Sequence, residues 1–179
     1  MDSIAFASLL IFLFLLWFFY TRFFGAEYYP TTSRKMRRML EYAKLNKDDV
    51  AYDLGCGDAR LVIAAARKCK KAIGIEIDPL RFFISLLKVK LLMLKNARII
   101  FADLFKHDLK DATVVFLFLR QQANDKLQKK LSKLKKGTRI VSHYWIFRGW
   151  KPLKQDKKLK IYYYIAGKSN AKNKIKKYE

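Results

Sequence analysis

The hydrophobic pattern of this chain divides into one long uncharged run and a series of short alternating ones. Ile4 to Tyr20 carries no charged residue and is dominated by Leu, Phe and Ile. As a helix this run is about 26 Å long, or about 31 Å if it continues past Arg22 to Phe24, which matches the hydrocarbon thickness of a bilayer. Trp17 and Tyr20 fall at interfacial positions, and Arg22 is placed to snorkel. Asp2 stands where a signal peptide carries Lys or Arg, and no small-residue cleavage site follows. Residues 1–24 are therefore expected to be a retained single-pass transmembrane helix. The acidic start and the basic flank (Arg22, Arg34, Lys35, Arg37, Arg38) place the body of the protein on the cytoplasmic side of the membrane.

A polar and aromatic connector occupies 25–32. Ser33 then reads as the N-cap of an amphipathic helix to about Leu45, with Met36, Met39, Leu40 and Ala43 on one face. Val50–Leu54 is a short apolar strand, broken by Gly55 and Gly57, and an alanine-rich helix runs from Ala59 to about Lys70. Ala72–Asp78 is a second strand, and Asp78-Pro79 opens a very apolar helix to about Leu94. Its Arg81, Lys88 and Lys90 argue for packing on a sheet over a second span. Arg98–Asp103 and Thr113–Leu119 are further strands, followed by a helical period over Gln121–Leu134 that Gly137 stops. Thr138–Trp145 and Lys160–Ala166 complete the strands, with a loop at Phe147–Lys158 between them. Strands alternating with helices predict one doubly wound, mostly parallel, Rossmann-like α/β domain over 33–167. The basic tail 168–179 is expected to be disordered.

Composition adds two points. A net charge of +23 over 179 residues calls for an anionic partner, whether lipid surface, nucleic acid or acidic protein, unless it merely reflects a lysine-rich proteome. The two cysteines, Cys56 and Cys69, have neither metal-ligand spacing nor the number for a disulfide framework, which favours a reducing compartment and no metal.

The candidate chemistry gathers at the carboxyl ends of the strands, where doubly wound sheets bind ligands. Asp53 precedes the glycine turn, Glu76 ends the second strand and Asp103 ends the third. Arg60 occupies the position of a dinucleotide fingerprint's third glycine, and no Gly-Lys-Ser/Thr follows the turn, so dinucleotide and P-loop readings both fail. Two glycines and two carboxylates at one sheet mouth suit a nucleoside with a charged or polar tail.

Asp53-Leu-Gly-Cys-Gly57, with carboxylates after the next two strands, resembles the first motif of the class I S-adenosylmethionine-dependent methyltransferases, and the similarity covers roughly 33–166. Within that superfamily, Tyr29-Pro-Thr31, Asp53-Leu-Gly-Cys-Gly-Asp-Ala-Arg60, Asp111-Ala-Thr-Val-Val115 and Gly137-Thr-Arg-Ile-Val-Ser-His143 resemble one small group. It comprises the membrane-anchored protein-lysine methyltransferases that act on the ATP synthase c-subunit and on the adenine nucleotide carrier, with prokaryotic relatives. The chain departs from that group at Ala59, where glycine is usual, and at Arg120-Gln-Gln-Ala, which fits no signature of the group. The resemblance implies that Gly55, Cys56 and Gly57 pass close to the methionine part of S-adenosyl-L-methionine. It also implies that Asp53 holds the cofactor's amino group, that Glu76 accepts both ribose hydroxyls, and that Asp103 meets the adenine. Tyr28, Tyr29, Thr31, His143 and Tyr144 are the candidates to line a lysine pocket, with His143 as proton acceptor or, equally, a histidine ordered by a backbone hydrogen bond. The partners implied are a membrane lipid surface and a protein presenting a lysine. An RNA substrate is the rival favoured by charge, although no Asn-Pro-Pro-aromatic motif follows the fourth strand. A lipid or quinone acceptor fits the anchor equally well, and a non-catalytic membrane scaffold is the last rival.

Overall fold

The computed structural model describes residues 3–24 and 31–169, the first segment with side chains as far as Leu16. Its centre is a seven-stranded sheet in the order β3-β2-β1-β4-β5-β7-β6. The strands are β1 (Val50–Leu54), β2 (Lys71–Glu76), β3 (Ala97–Phe101), β4 (Val114–Leu117), β5 (Arg139–His143), β6 (Lys154–Asp156) and β7 (Ile161–Ile165). The first five are parallel; β7 runs antiparallel to β5, and β6 antiparallel to β7. The helices are α1 (Ser3–Phe24), α2 (Ser33–Ala43), α3 (Arg60–Ala66), α4 (Pro79–Leu91) and α5 (Gln121–Leu131).

The central strands are largely apolar along their middles because both faces are covered. Ala51, Val114, Phe116 and Val141 point into one layer with Met39 and Ala43 of α2, Leu61, Val62 and Ala65 of α3, and Val89 of α4. Tyr52, Leu54, Val115, Leu117 and Ile140 point into the other, where Leu127 and Leu131 of α5 meet Leu109, Phe147 and Tyr164. Strand order reverses between β1 and β4, so their carboxyl ends open a crevice there. At the opposite edge Asp49 binds the layers together. Its carboxylate accepts from the Asn46 N–H (2.7 Å) and Thr113 Oγ1 (2.7 Å) and pairs with Arg139, whose guanidinium also reaches the carbonyls of Ala43 (2.6 Å) and Lys44 (2.8 Å).

Several expectations are revised. The N-cap of α2 is Thr32 rather than Ser33, and the helix stops at Ala43 because Lys44 turns left-handed (φ 46°). Helices α3, α4 and α5 each end about three residues earlier than their apolar periods suggested. The segment read as a loop at Phe147–Lys158 contains β6, whose charged residues sit at a sheet edge and so carry no alternating pattern. Ser169, assigned to a disordered tail, is buried: its hydroxyl accepts from the Ile165 N–H (3.1 Å) and its carbonyl from the Lys151 N–H (3.1 Å). The tail proper, 170–179, lies outside the described residues, as does most of the connector. A helix does form over 3–24, yet among the described residues no helix is long and apolar enough to cross a membrane. The anchor therefore remains a reading of the sequence.

Candidate active site

Leu54 ends β1, and the chain turns back at Gly55 (φ 79°), where a Cβ would come within 3.0 Å of Leu119 Cδ2. The N–H groups of Gly55 and Cys56 both donate to the Ile75 carbonyl (2.9 and 3.0 Å), and that of Gly57 donates to Glu76 Oε2 (2.9 Å). Three successive donors are thus spent on the end of β2, so the turn is not the cradle of free N–H groups that binds a phosphate. The tight seam also depends on a glycine that the sequence motif does not include. A Cβ on Gly74 would lie 2.6 Å from Cys56 Sγ and 2.9 Å from Val62 Cγ2. The close helix–strand approach that a third fingerprint glycine would permit is provided here from β2.

A cavity of about 910 Å³ opens over this turn at the β1/β4 reversal. Its inner wall carries Asp53, Asp58, Glu76 and Asp78. Asp58 is committed: burial alone would raise its pKa, but Arg60 (2.8 Å) and Lys88 (2.8 Å) hold its carboxyl well below the usual range. Asp53 is buried, and no protein hydrogen bond reaches its carboxylate among the described residues. Burial first, then the charges of Glu76 and Asp58, push its pKa up to about 7. Glu76 accepts from Gly57, and from Ile77 and Asp78 through its other oxygen (2.9 Å each). Of the roughly four acceptor positions on a carboxylate, one stays open in this geometry, where the sequence reading asked for two. Asp78 caps α4 through one oxygen (Arg81 N–H, 2.9 Å), and its Oδ2 is buried without a partner.

The mouth of the cavity is aromatic and basic. Phe118, Tyr144 and Trp145 line it with Lys35, Thr31 and Arg120. Tyr144 has a left-handed backbone (φ 72°), rare for a bulky residue, and its N–H donates to the Lys160 carbonyl (2.6 Å) while the Lys160 ammonium sits 4.0 Å over its ring. Amide side chains on one face of α5 hold the loop that carries this mouth. Gln121 donates to the Ile146 carbonyl (2.9 Å), Asn124 to that of Trp145 (3.1 Å) and Gln128 to that of Arg148 (2.6 Å). These glutamines and the asparagine went unrecognised in the sequence, although their i, i+3, i+7 spacing was the available signal.

Of the residues singled out in the sequence, Thr31, Asp53, Gly55, Cys56, Gly57, Glu76 and Tyr144 come together around this cavity. Asp103 does not line it; its carboxylate closes a turn by accepting the Phe105 N–H (2.8 Å). His143 is fully buried behind the mouth, its ring 4.0 Å from that of Phe118, with neither ring nitrogen partnered. Burial, then the nearby Lys35, lowers its pKa to about 4, which leaves it neutral and a weak base at pH 7. Tyr28 and Tyr29 lie outside the described residues. Ile77, Asp78, Leu104, Phe118, Leu119 and Trp145 line the cavity and were not anticipated.

These features fit S-adenosylmethionine. An acidic wall beside a turn whose first three N–H groups are already bonded suits a cationic, phosphate-free ligand, and Asp53 lacks the counter-ion that an amino group supplies. Among the described residues no cluster of His, Cys, Asp and Glu is set to hold a metal ion.

Comparisons with known proteins agree with the geometry. The ANTKMT methyltransferase domain family matches residues 53–154. A protein-lysine N-methyltransferase of Saccharolobus islandicus is 45% identical over 133 residues, covering 70% of this chain and 80% of that protein. The ATP synthase C-subunit lysine N-methyltransferase of Xenopus laevis is 28% identical over 127 residues, and the match covers 70% of this chain and 56% of that protein. The chain thus spans about half the length of such animal relatives. Among solved structures, an RNA methyltransferase from Salinibacter ruber in complex with S-adenosyl-L-homocysteine superposes with a TM-score of 0.74 at 36% identity, covering 77% of this chain and 94% of that one. With more than half its length matched, the chain belongs to the ANTKMT methyltransferase domain family and is an S-adenosylmethionine-dependent methyltransferase.

Proposed function

We propose that this protein methylates lysine side chains of a membrane or membrane-associated protein, held there by residues 1–24 with its catalytic domain on the cytoplasmic side. The observation that supports the lysine reading is that three aromatic side chains, Phe118, Tyr144 and Trp145, line the same cavity as the acidic wall. The cofactor, when bound, supplies a methyl group already activated on a sulfonium. The residues must orient it and bring a neutral amine into line. In this reading Asp53 takes the cofactor's amino group, Glu76 one ribose hydroxyl through its open acceptor position, and Asp78 Oδ2 a further donor, with Ile77 and Leu104 as apolar walls.

The acceptor lysine must lose a proton, which at pH 7 costs about 4.6 kcal/mol from its ordinary pKa. Aromatic walls lower that cost by desolvation, and the like charge of Lys35 on the rim lowers it further. Deprotonation before entry, with the proton going to water, needs no buried base, which is consistent with the neutral His143. The names of the Saccharolobus and Xenopus relatives support a protein lysine as acceptor. The +23 charge and the description of the Salinibacter structure favour RNA as a second reading.

The deciding experiment follows labelled methyl from S-adenosylmethionine into membrane protein, soluble protein, RNA and lipid of a host extract, beside a Glu76→Ala control. Label mapped to a lysine of a membrane protein is the expected result. Label confined to RNA or lipid overturns the acceptor, and equal labelling by the control removes the role given to Glu76.

A further inference from the structure

Helix α4 reverses the usual polarity of a helix lying on a sheet. Its inward face is narrow, with Ser85 and Val89 buried and Phe82 beside them. Leu80, Phe83, Ile84, Leu87 and Leu91 are each between 40 and 71% exposed. At 3.6 residues per turn these five fall within an arc of about 100° directed away from the sheet, where a globular helix ordinarily places charge. The charges are displaced to its margins: Lys88, paired with Asp58, and Arg81 lie on one side, Lys90 on the other. The apolar surface continues through the exposed Met93 and onto Phe101 of edge strand β3, whose ring is 5.3 Å from that of Phe82. Between Pro79 and Ala102 the chain holds Arg81, Lys88, Lys90, Lys95 and Arg98 and no Asp or Glu. An apolar stripe rimmed by cations and free of carboxylates is the composition of a helix that lies in a lipid interface.

We propose that the outward face of α4, with Met93 and Phe101, is a docking surface for a bilayer bearing anionic headgroups. Its apolar side chains enter the acyl boundary, and flanking cations such as the exposed Lys90 meet the phosphates. A second copy fits this face poorly, because a symmetric pairing would set cations against cations, and Asp58, the carboxylate beside Lys88, is already held by Arg60 and Lys88. Arg81 on the first turn of α4 also lines the cavity, so docking in this way brings the cavity rim to the interface. The assignment deepens the membrane side of the proposed function but does not depend on what the acceptor is.

The test uses the full chain carrying Phe83→Cys labelled with an environment-sensitive fluorophore; Cys56 and Cys69 are buried and leave the introduced thiol as the reactive one. The protein is added to phosphatidylcholine vesicles with or without phosphatidylglycerol, both containing phospholipid brominated along its acyl chains. A matched label at the exposed Lys133, after α5 on the other side of the sheet, is the control. Strong quenching at position 83 in anionic vesicles, weak quenching at 133, and a drop of about tenfold in the quenching at 83 in a Leu87→Glu/Leu91→Glu background are expected. An unquenched label at 83 on vesicle-bound protein overturns the proposal, since the protein is then held by α1 alone. So does a label already shielded without lipid, whether independent of protein concentration (α1 covering the face) or rising with it (a second copy). Quenching without methyl transfer to lysine leaves this face assigned and removes the substrate reading, whereas transfer without quenching does the reverse.

Discussion

With the proposed role of holding the cofactor's amino group, Asp53 would report by its protonation whether the cofactor is in place. Its folded pKa of about 7 lies above the ordinary 3.8, so its contribution to stability is present below pH 4 and is lost as pH rises through 7. A cationic amino group beside it reverses the shift. Cofactor binding at pH 6 should therefore release most of one proton, measured by calorimetry in buffers of different ionisation enthalpy, and Asp53→Asn should abolish the release. Ala59 makes a different point. It holds a left-handed backbone (φ 62°) at the start of α3, a conformation that glycine adopts without strain. Changing it to glycine relieves about 1–2 kcal/mol of backbone strain, but adds about 0.5–1 of chain entropy and forfeits a buried methyl worth about 0.8. The terms nearly cancel, so Ala59→Gly should move the urea midpoint by the equivalent of less than about 0.5 kcal/mol. The glycine turn and Glu76 were legible as sequence because their spacing follows one strand and one turn. Gly74 was not, since its partners Cys56 and Val62 meet it only once β2 lies beside β1.

Elements are joined here by a few polar side chains whose loss should be felt across layers. Arg139 ties β5 to the end of α2 and to Asp49, whose pKa burial would raise but whose bonds to Asn46, Arg139 and Thr113 lower. Arg139→Ala leaves that carboxylate uncompensated and should cost about 3 kcal/mol in chemical denaturation. The Asp49 contribution is present above its unfolded pKa and lost as pH falls through the folded one, so the gap between wild type and variant should narrow in acid. The amides of α5 act on the mouth instead. Asn124→Ala should raise KM for the protein acceptor on the order of tenfold while leaving the Kd for cofactor unchanged, because it removes one of the two side chains, with Ser142 (2.6 Å), that hold the carbonyl of Trp145 and leaves the acidic wall intact. Strands and helices with one buried face were readable from period alone. Strand β6 was not, because a charged edge strand lacks an alternating face, and the ends of α3, α4 and α5 were set by local turns.

At the scale of the whole molecule, the proposals assign an apolar helix, a basic body and an exposed apolar face on α4 to location, and the crevice between β1 and β4 to chemistry. Removing residues 1–24 should therefore leave cofactor affinity within about twofold and reduce modification of membrane-embedded acceptor far more than that of a soluble lysine peptide; equal loss on both would tie the segment to catalysis itself. Sheet order and crevice were legible because alternating strand and helix admits few topologies. The outward face of α4 was not, since a very apolar helix reads as packed on all sides, whereas six of its eight apolar residues meet solvent. The seam between Cys56 and Gly74 has one further consequence. Both thiols of this chain are sealed, Cys56 beneath the cavity floor and Cys69 behind α3, and burial raises the pKa of each. A thiol reagent can reach them only through molecules that have opened, so their alkylation rates measure the free energy of opening at two places in the unlabelled native chain. A cofactor bound over Cys56 should slow the first rate and leave the second nearly alone, which makes the enzyme its own gauge of occupancy.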